Sequence, residues 1–569
     1  MNGRLRLCGL MATTALLAAC QSQQSRLSAR EWDTFVSGFI ETYFEANPLF
    51  AVYQGRHEFD GRFPDWSEQG LQKWARRLHQ LRDSAAALSI DSADAPRALE
   101  RDYLMAVADG DLFWLDRADW PHRSASWYGD QIDPNVYLAR NYAPLPDRMR
   151  AYTRWARGLP RALRQMRTNL QTPMPRAYAD IGRGQIGGLV SYLQQDVPRA
   201  FDSVTDTVTW RDFSSANAAA ILALKEAEAW LAVEQKRGTS NFAIGPELFR
   251  DMLRSTEMVD VSLDSLEAKG RADLQDNLMA LRLACRNFAP GATLPRCVRR
   301  MNAHKPPAGA VAAARDQLAT LEDFVRLGDI VSVPGGERAL VRESPPYQRF
   351  NSAYIDIPGP FEKNIPSIYY IAPPDTSWSP AEQAAYIPGL ADLMFTSVHE
   401  VWPGHFLNFL HSNRATSKFG QIFVGYAFAE GWAHYTEEMM LEAGLGDGYP
   451  DLAVGQLSNA LLRNVRFLSA IGLHTKGMGI SESERMFREQ AFQDPGNARQ
   501  QAARGTYDPA YLNYTMGKLM IQKLREDWTR TRGGRKAWKQ FHDTFLSYGG
   551  PPIPLVRKAM LGKDSGPAM

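Results

Sequence analysis

The chain has 569 residues, with 65 Lys and Arg against 63 Asp and Glu; 44% is hydrophobic, 11% aromatic and 22% charged. This excludes a disordered chain, which would be poor in apolar residues or strongly charged, and the near-zero balance leaves no surplus of positive charge for nucleic acid. At about 100–200 residues per domain, the length fits three or four domains or one large helical body.

Arg4 and Arg6 open the chain, and an apolar run from Leu7 to Ala19 leads into Cys20. The run is too short to span a bilayer and has the layout of a secretory signal, residues 1–19. Leu17-Ala18-Ala19-Cys20 resembles the lipobox of bacterial lipoproteins, in which Cys20 is acylated and becomes the mature N-terminus. Losing residues 1–19 removes two arginines and no acid, so basic and acidic groups then balance at 63 each. Membrane attachment would therefore come through lipid rather than a basic patch. Gln21, in place of the aspartate of inner-membrane retention, points to the periplasmic side of a Gram-negative outer membrane. Residues 20–30 read as the acylated cysteine and a polar tether. No later stretch is long and apolar enough to cross a membrane.

Helical patterning follows from Trp32 to Leu88, broken near residues 55–61, and again over Arg97–Leu115. Further helices are predicted at Pro146–Leu170, Ser214–Lys236, Pro246–Leu253, Leu263–Asn287 and Val311–Leu327. Pro, Gly and Asp scattered through 120–145 and 172–188 read as loops. Cys285 and Cys297 stand twelve positions apart, and in an oxidising compartment a disulfide is favoured over two free thiols.

Between Val331 and Pro380 prolines punctuate two β-like runs, Ala353–Ile357 and Ser367–Ala372. The second, carrying Tyr369 and Tyr370, suits an edge strand. It would either hold an extended peptide through its backbone or be a small structural hairpin. The fold class is thus mainly α with a small β element. Residues 31–330 form an N-terminal helical region, and residues 331–569 carry the chemistry and pack with it into one body.

That chemistry centres on His399-Glu400-Val401-Trp402-Pro403-Gly404-His405 and on Glu430-Gly431-Trp432-Ala433-His434-Tyr435-Thr436-Glu437. Zinc in hydrolases takes histidines and a carboxylate and keeps a position for water; a glutamate beside the first histidine sits where it can take that water's proton. Histidines four apart on a helix are about 40° apart, whereas six apart they are about 120° apart. A regular helix therefore separates His399 from His405. Pro403-Gly404 would loop out two residues, or end one helix so that His405 swings back. Glu430, His434 and Glu437 fall within about 60° on one helix face, inside an apolar run where such groups are costly unless paired. Glu430 is the expected third ligand and Glu437 the acceptor orienting a ligating histidine; His434 competes with His405 as a ligand.

These two segments resemble the bacterial DUF885 family, whose hallmark is His-Glu-x-x-Pro-Gly-His followed by Glu-Gly-Trp-Ala-x-Tyr-x-Glu. Residues 55–60, 244–253 and 510–525 are also similar to family segments. The resemblance implies a mostly helical fold with a deep central cleft and zinc-peptidase activity. In that fold His399, His405 and Glu430 would hold Zn2+ and Glu400 would be the general base. The family's variable position falls on His434. Tyr511–Lys518 is similar to the family's Ser-Tyr-x-x-Gly-Lys stretch, which implicates Tyr514 as an oxyanion donor or a core anchor, with Asn513 where serine is expected. Arg466–His474 is similar to Arg-x-x-x-Asp-x-Gly-x-His, with Ala470 in place of the aspartate. It makes Arg466 and His474 candidates for gripping a substrate carboxylate or oxyanion, His474 counting also as a catalytic candidate. Neither a Gly-x-Ser-x-Gly elbow nor a phosphate-binding loop is present. The expected function is zinc-dependent hydrolysis of short peptides. The alternatives are an amidase acting on muropeptides and a non-catalytic envelope lipoprotein that binds peptides or cell-wall fragments.

Overall fold

A computed structural model describes residues 28–90, 94–562 and 565–569. The expectations for residues 1–19 and for Cys20 lie outside the described residues. Mainly α architecture is observed, with one three-stranded sheet. Among the described residues no helix is long and apolar enough to cross a membrane.

The N-terminal helices follow the apolar periodicity closely. Ala29–Ala46 starts from a capping box at Ser28 and Glu31 and precedes Pro48–Tyr53; the break at 55–61 is a short 3-10 turn, His57–Phe59. Ala95–Leu112, Leu145–Asn169, Thr207–Arg237, Pro246–Glu257, Leu263–Phe288 and Ala310–Gly328 occupy the predicted helical stretches. Two loop assignments need correction. Residues 120–145 hold three short helices, Trp120–Arg123, Ala125–Gly129 and Asn135–Ala139. Residues 172–188 run into a 25-residue helix, Arg176–Ala200. Its glycines mark close packing rather than breaks: a Cβ on Gly188 would stand 2.4 Å from the Cα of Tyr347. Tertiary contact overrides the local propensity.

Strands β1 (Ala339–Glu343), β2 (Ala353–Asp356) and β3 (Ser367–Ile371) pair in the order β1-β3-β2. β1 runs parallel to β3, from Ala339 opposite Ser367, and β2 runs antiparallel to it, from Ala353 opposite Ile371. The expected edge strand is therefore the middle strand, and all five of its residues are buried. β1 escapes sequence reading because only Val341 of its five residues is buried, so no alternation marks it.

Two apolar cores fill the interior. One collects Trp32, Phe39, Trp66, Tyr152 and Trp155, and it takes in Phe419 and Leu555 from the C-terminal half. The other runs from Phe113, Phe249 and Leu281 to Val398, Phe467 and Phe545. Both cross residue 330, so regions 31–330 and 331–569 interlock rather than pack as separate units. At the centre lies Pro450–Thr475, buried on every face from Val454 to His474, as expected of a helix surrounded by others. It packs along Leu263–Phe288 and Leu390–Glu400.

Cys285, near the end of Leu263–Phe288, is disulfide-bonded to Cys297 on Leu294–Asn302. The bond closes a short loop and so restricts the unfolded chain. Replacing both cysteines by serine should cost about 3 kcal/mol on loop-entropy grounds. Denaturant unfolding of the two proteins, with thiol titration of the native one, checks this.

Candidate metal centre

Leu390–Glu400 carries His399 and Glu400 on its last turn, and the next helix, His405–Ser412, begins at His405. Of the two routes open in the sequence, the chain takes the helix ending. Trp402–Pro403 is a cis peptide bond. The amide of Gly404 turns back to donate to the Val398 carbonyl at 3.0 Å. A Cβ on Gly404 would stand 1.8 Å from the His399 carbonyl oxygen, so only glycine fits there. The Trp432 indole N–H holds the turn in place by donating to the Pro403 carbonyl at 2.8 Å. The two imidazoles then meet, with ring centroids 4.9 Å apart and planes at 90°.

The opposing helix, Tyr426–Glu442, brings the carboxylates. Oε2 of Glu430 lies 3.2 Å from Nε2 of His399 and 3.2 Å from Nε2 of His405. One donor atom from each of the three residues falls within 4.8 Å of the others. Nδ1 of His399 points the other way, 2.7 Å from Oε1 of the fully buried Glu437. Glu437 in turn faces Arg463 at 3.3 Å. His434 is not part of the converging set. It is fully buried with Nδ1 3.5 Å from Oε2 of Glu437, beyond a good hydrogen bond, and burial pulls its pKa down to about 4.

Charge is balanced tightly here. Burial works against the carboxylate of Glu430, yet His405 and His399 hold its pKa well below the usual range. Glu437 is likewise depressed despite burial, by Arg463 and the histidines. Burial would lower the pKa of His399, but its contacts with Glu430 and Glu437 raise it to about 9. The pocket between these donors thus favours positive charge. Glu400 is different: burial pushes its pKa up, only partly offset by His405 and His399.

The donors line a cavity of about 1410 Å³, together with Glu400, Arg466, Tyr514 and the β2 strand with its flanks, residues 351–357. Tyr514 arrives on Asn513–Thr529, which crosses Tyr426–Glu442 glycine against glycine. A Cβ on Gly431 would stand 2.5 Å from the Cα of Gly517. The Tyr514 ring stacks on His399 at 5.9 Å and 14°, and its oxygen receives a hydrogen bond from Arg504 Nη2 at 3.3 Å.

Other candidates fall elsewhere. His474 is buried outside the cavity lining, its Nε2 donating to the Gly505 carbonyl at 2.7 Å and its Nδ1 facing the Ile244 amide at 3.4 Å. Both ring nitrogens are spent on backbone and burial lowers its pKa to about 4, so the catalytic expectation for His474 is corrected to tying the loop before Pro246–Glu257 to the central helix. Tyr369 and Tyr370 also fail as substrate contacts. They are buried in the middle strand, away from the cavity lining, with Tyr370 Oη accepting from Asn135. Sequence reading missed Arg463 and Arg504; an arginine three places before Arg466, in a helix with few other charged residues, is the signal that marks the first.

The DUF885 family, described as "Bacterial protein of unknown function", matches residues 48–560. A structure from Shewanella oneidensis, described as a candidate lipoprotein of unknown function, superposes with a TM-score of 0.74 at 23% identity, covering 93% of this chain and 99% of that one. A second candidate lipoprotein, from Colwellia psychrerythraea, gives 0.76 at 15% identity, covering 92% and 97%. These similarities establish the shared fold. No curated protein matches.

Glu437→Gln keeps the side-chain shape and removes the charge behind His399. It should weaken divalent-metal binding by about 10–100-fold, the usual effect of losing such a partner. Competition against a chromophoric chelator measures it.

Proposed function

This chain belongs to the DUF885 family, and from the geometry of its His–His–Glu cluster we propose that it is a zinc-dependent hydrolase of peptide bonds. The observation that carries the reading is the convergence of two Nε2 atoms on one Glu430 oxygen, 3.2 Å from each, in the wall of a large cavity. The donor set suits the ion: two histidines and a glutamate are the ligands of one common class of hydrolytic zinc site. The hydrogen bond from His399 to the buried Glu437 leaves Nε2 free to ligate. His399, His405 and Glu430 would hold the zinc, which when bound makes water a nucleophile near neutral pH and polarises the carbonyl.

The remaining work falls to the chain's own residues. Glu400, next to His399 and lining the same cavity, takes a proton from the attacking water and passes it to the departing amine. Tyr514 receives a hydrogen bond on its oxygen from Arg504, so its own O–H is available to the oxyanion that develops on the carbonyl. β2, with one edge unpaired and its residues on the cavity wall, offers backbone groups to an extended peptide. This replaces the role first expected of β3. Acylation at Cys20 would anchor the protein at the outer membrane, with the cavity in the periplasm.

Glu400→Gln should retain stoichiometric zinc and lose hydrolysis of a mixed short-peptide pool by about 10²–10⁴-fold. His399→Ala should lose both. Elemental analysis of the purified proteins, with chelation and zinc add-back, reads the two effects separately. Wild-type turnover by Glu400→Gln would overturn the mechanism.

A further inference from the structure

Arg466 and Arg504 both lie against the Tyr514 ring, Arg463 precedes Arg466 by one helical turn, and two of the three are matched by acids. Arg463 faces Glu437 at 3.3 Å and Arg504 faces Asp508 at 2.9 Å. Arg466 is different. It is 5% exposed and lines the cavity. Its Nε donates to Oε1 of Gln501 at 2.7 Å, and its guanidinium lies 4.6 Å from the centroid of the Tyr514 ring. Among the described residues no carboxylate pairs with it, and Nη1 and Nη2 have no hydrogen-bond partner. Neither nitrogen is fully enclosed, and the side chain that carries them lines the cavity.

A buried charge without a counter-charge is costly, and arginine does not escape the cost by releasing its proton. Burial, Arg504 and Arg463 all act against this one. The Gln501 carbonyl and the tyrosine π face offset only part of it. What is left is a forked pair of donors that suits a two-oxygen anion.

The position of the fork narrows the anion. Arg466 and His399 both pack on the Tyr514 ring, at 4.6 Å and 5.9 Å, so the guanidinium is no more than about three extended residues from the His399 ring and an anion held by it no more than about four. One anion lies at a fixed covalent distance from a backbone carbonyl in every peptide: the C-terminal carboxylate. We propose that Arg466 binds the C-terminal carboxylate of short peptides, so that the protein acts as a carboxypeptidase releasing one or two residues at a time. In that reaction the C–N bond breaks, the water oxygen stays on the carbonyl carbon, and the released amine carries away the proton delivered by Glu400. This inference rests on the hydrolase reading above.

The test uses zinc-loaded protein and matched pentapeptides: the free acid, its N-acetyl form, its C-terminal amide, and an amide with an internal glutamate. Both free acids should shorten from the C-terminus by mass spectrometry, while the amides lose about tenfold or more in kcat/KM. Calorimetry on Glu400→Gln supplies a readout without turnover. There the free acid should bind about tenfold or more tightly than the amide, and adding Arg466→Met should erase that preference with little change in melting temperature. Arg466→Lys should keep part of it. Equal binding of acid and amide, interior cleavage, a preference that survives Arg466→Met, or rescue by the internal glutamate would overturn the proposal while leaving the hydrolase reading intact. Zinc-loaded protein that cleaves none of the peptides would sink the hydrolase reading instead, and the binding comparison would still decide the role of Arg466. Should Arg466→Met fail to fold, the acid–amide comparison on the other proteins decides it alone.

Discussion

The site depends on one close approach, Gly404 against the His399 carbonyl. The backbone there comes nearer than any Cβ allows, with 1.8 Å between an ideal Cβ position and the oxygen. Because the chain folds back at that point, two imidazoles six residues apart face one carboxylate instead of pointing to different sides of a helix. Glu430 lies between them, Glu437 backs His399, and Arg463 backs Glu437. Each partner offsets a desolvation cost that the previous one would otherwise leave.

A second close approach sets the opposite wall. Gly431 and Gly517 let two long helices touch along their backbones, which carries Tyr514 to the face of His399. These elements are helices packed into the larger apolar core, with the fully buried Pro450–Thr475 helix among them. Side chains on rigid packed elements keep their geometry better than side chains on loops. The β2 strand adds exposed backbone to the same cavity without contributing to the polar cluster.

Arg466 stands out against this economy of paired charges. Glu430, Glu437, Arg463 and Arg504 find charged partners within the protein, while the two terminal nitrogens of Arg466 find none. A charge left open in a cavity wall has a different significance from one satisfied inside the fold, because its balance has to come from something that enters.

Most helices, the paired cysteines and the shared helix face of Glu430 and Glu437 were legible from residue order alone, since each rests on short-range information: apolar periodicity, turn-breaking residues, or spacing along the chain. What the chain order left open was decided by distant contacts. It did not say whether Pro403-Gly404 bulges a helix or ends it, and the Trp432 indole from another helix holds the ending. It placed β3 at an edge because prolines bound it, yet β1, twenty-eight residues earlier and almost without pattern, covers that edge. It read glycines at 182–188 as breakers, where Gly188 instead admits the Tyr347 backbone. His474 sits in a family-like segment and spends both nitrogens on backbone that only folding brings near. Local sequence sets what a segment can form and which groups share a face. Which of those groups lose water, find a counter-charge or remain open to a cavity is a property of packing between segments far apart in the chain.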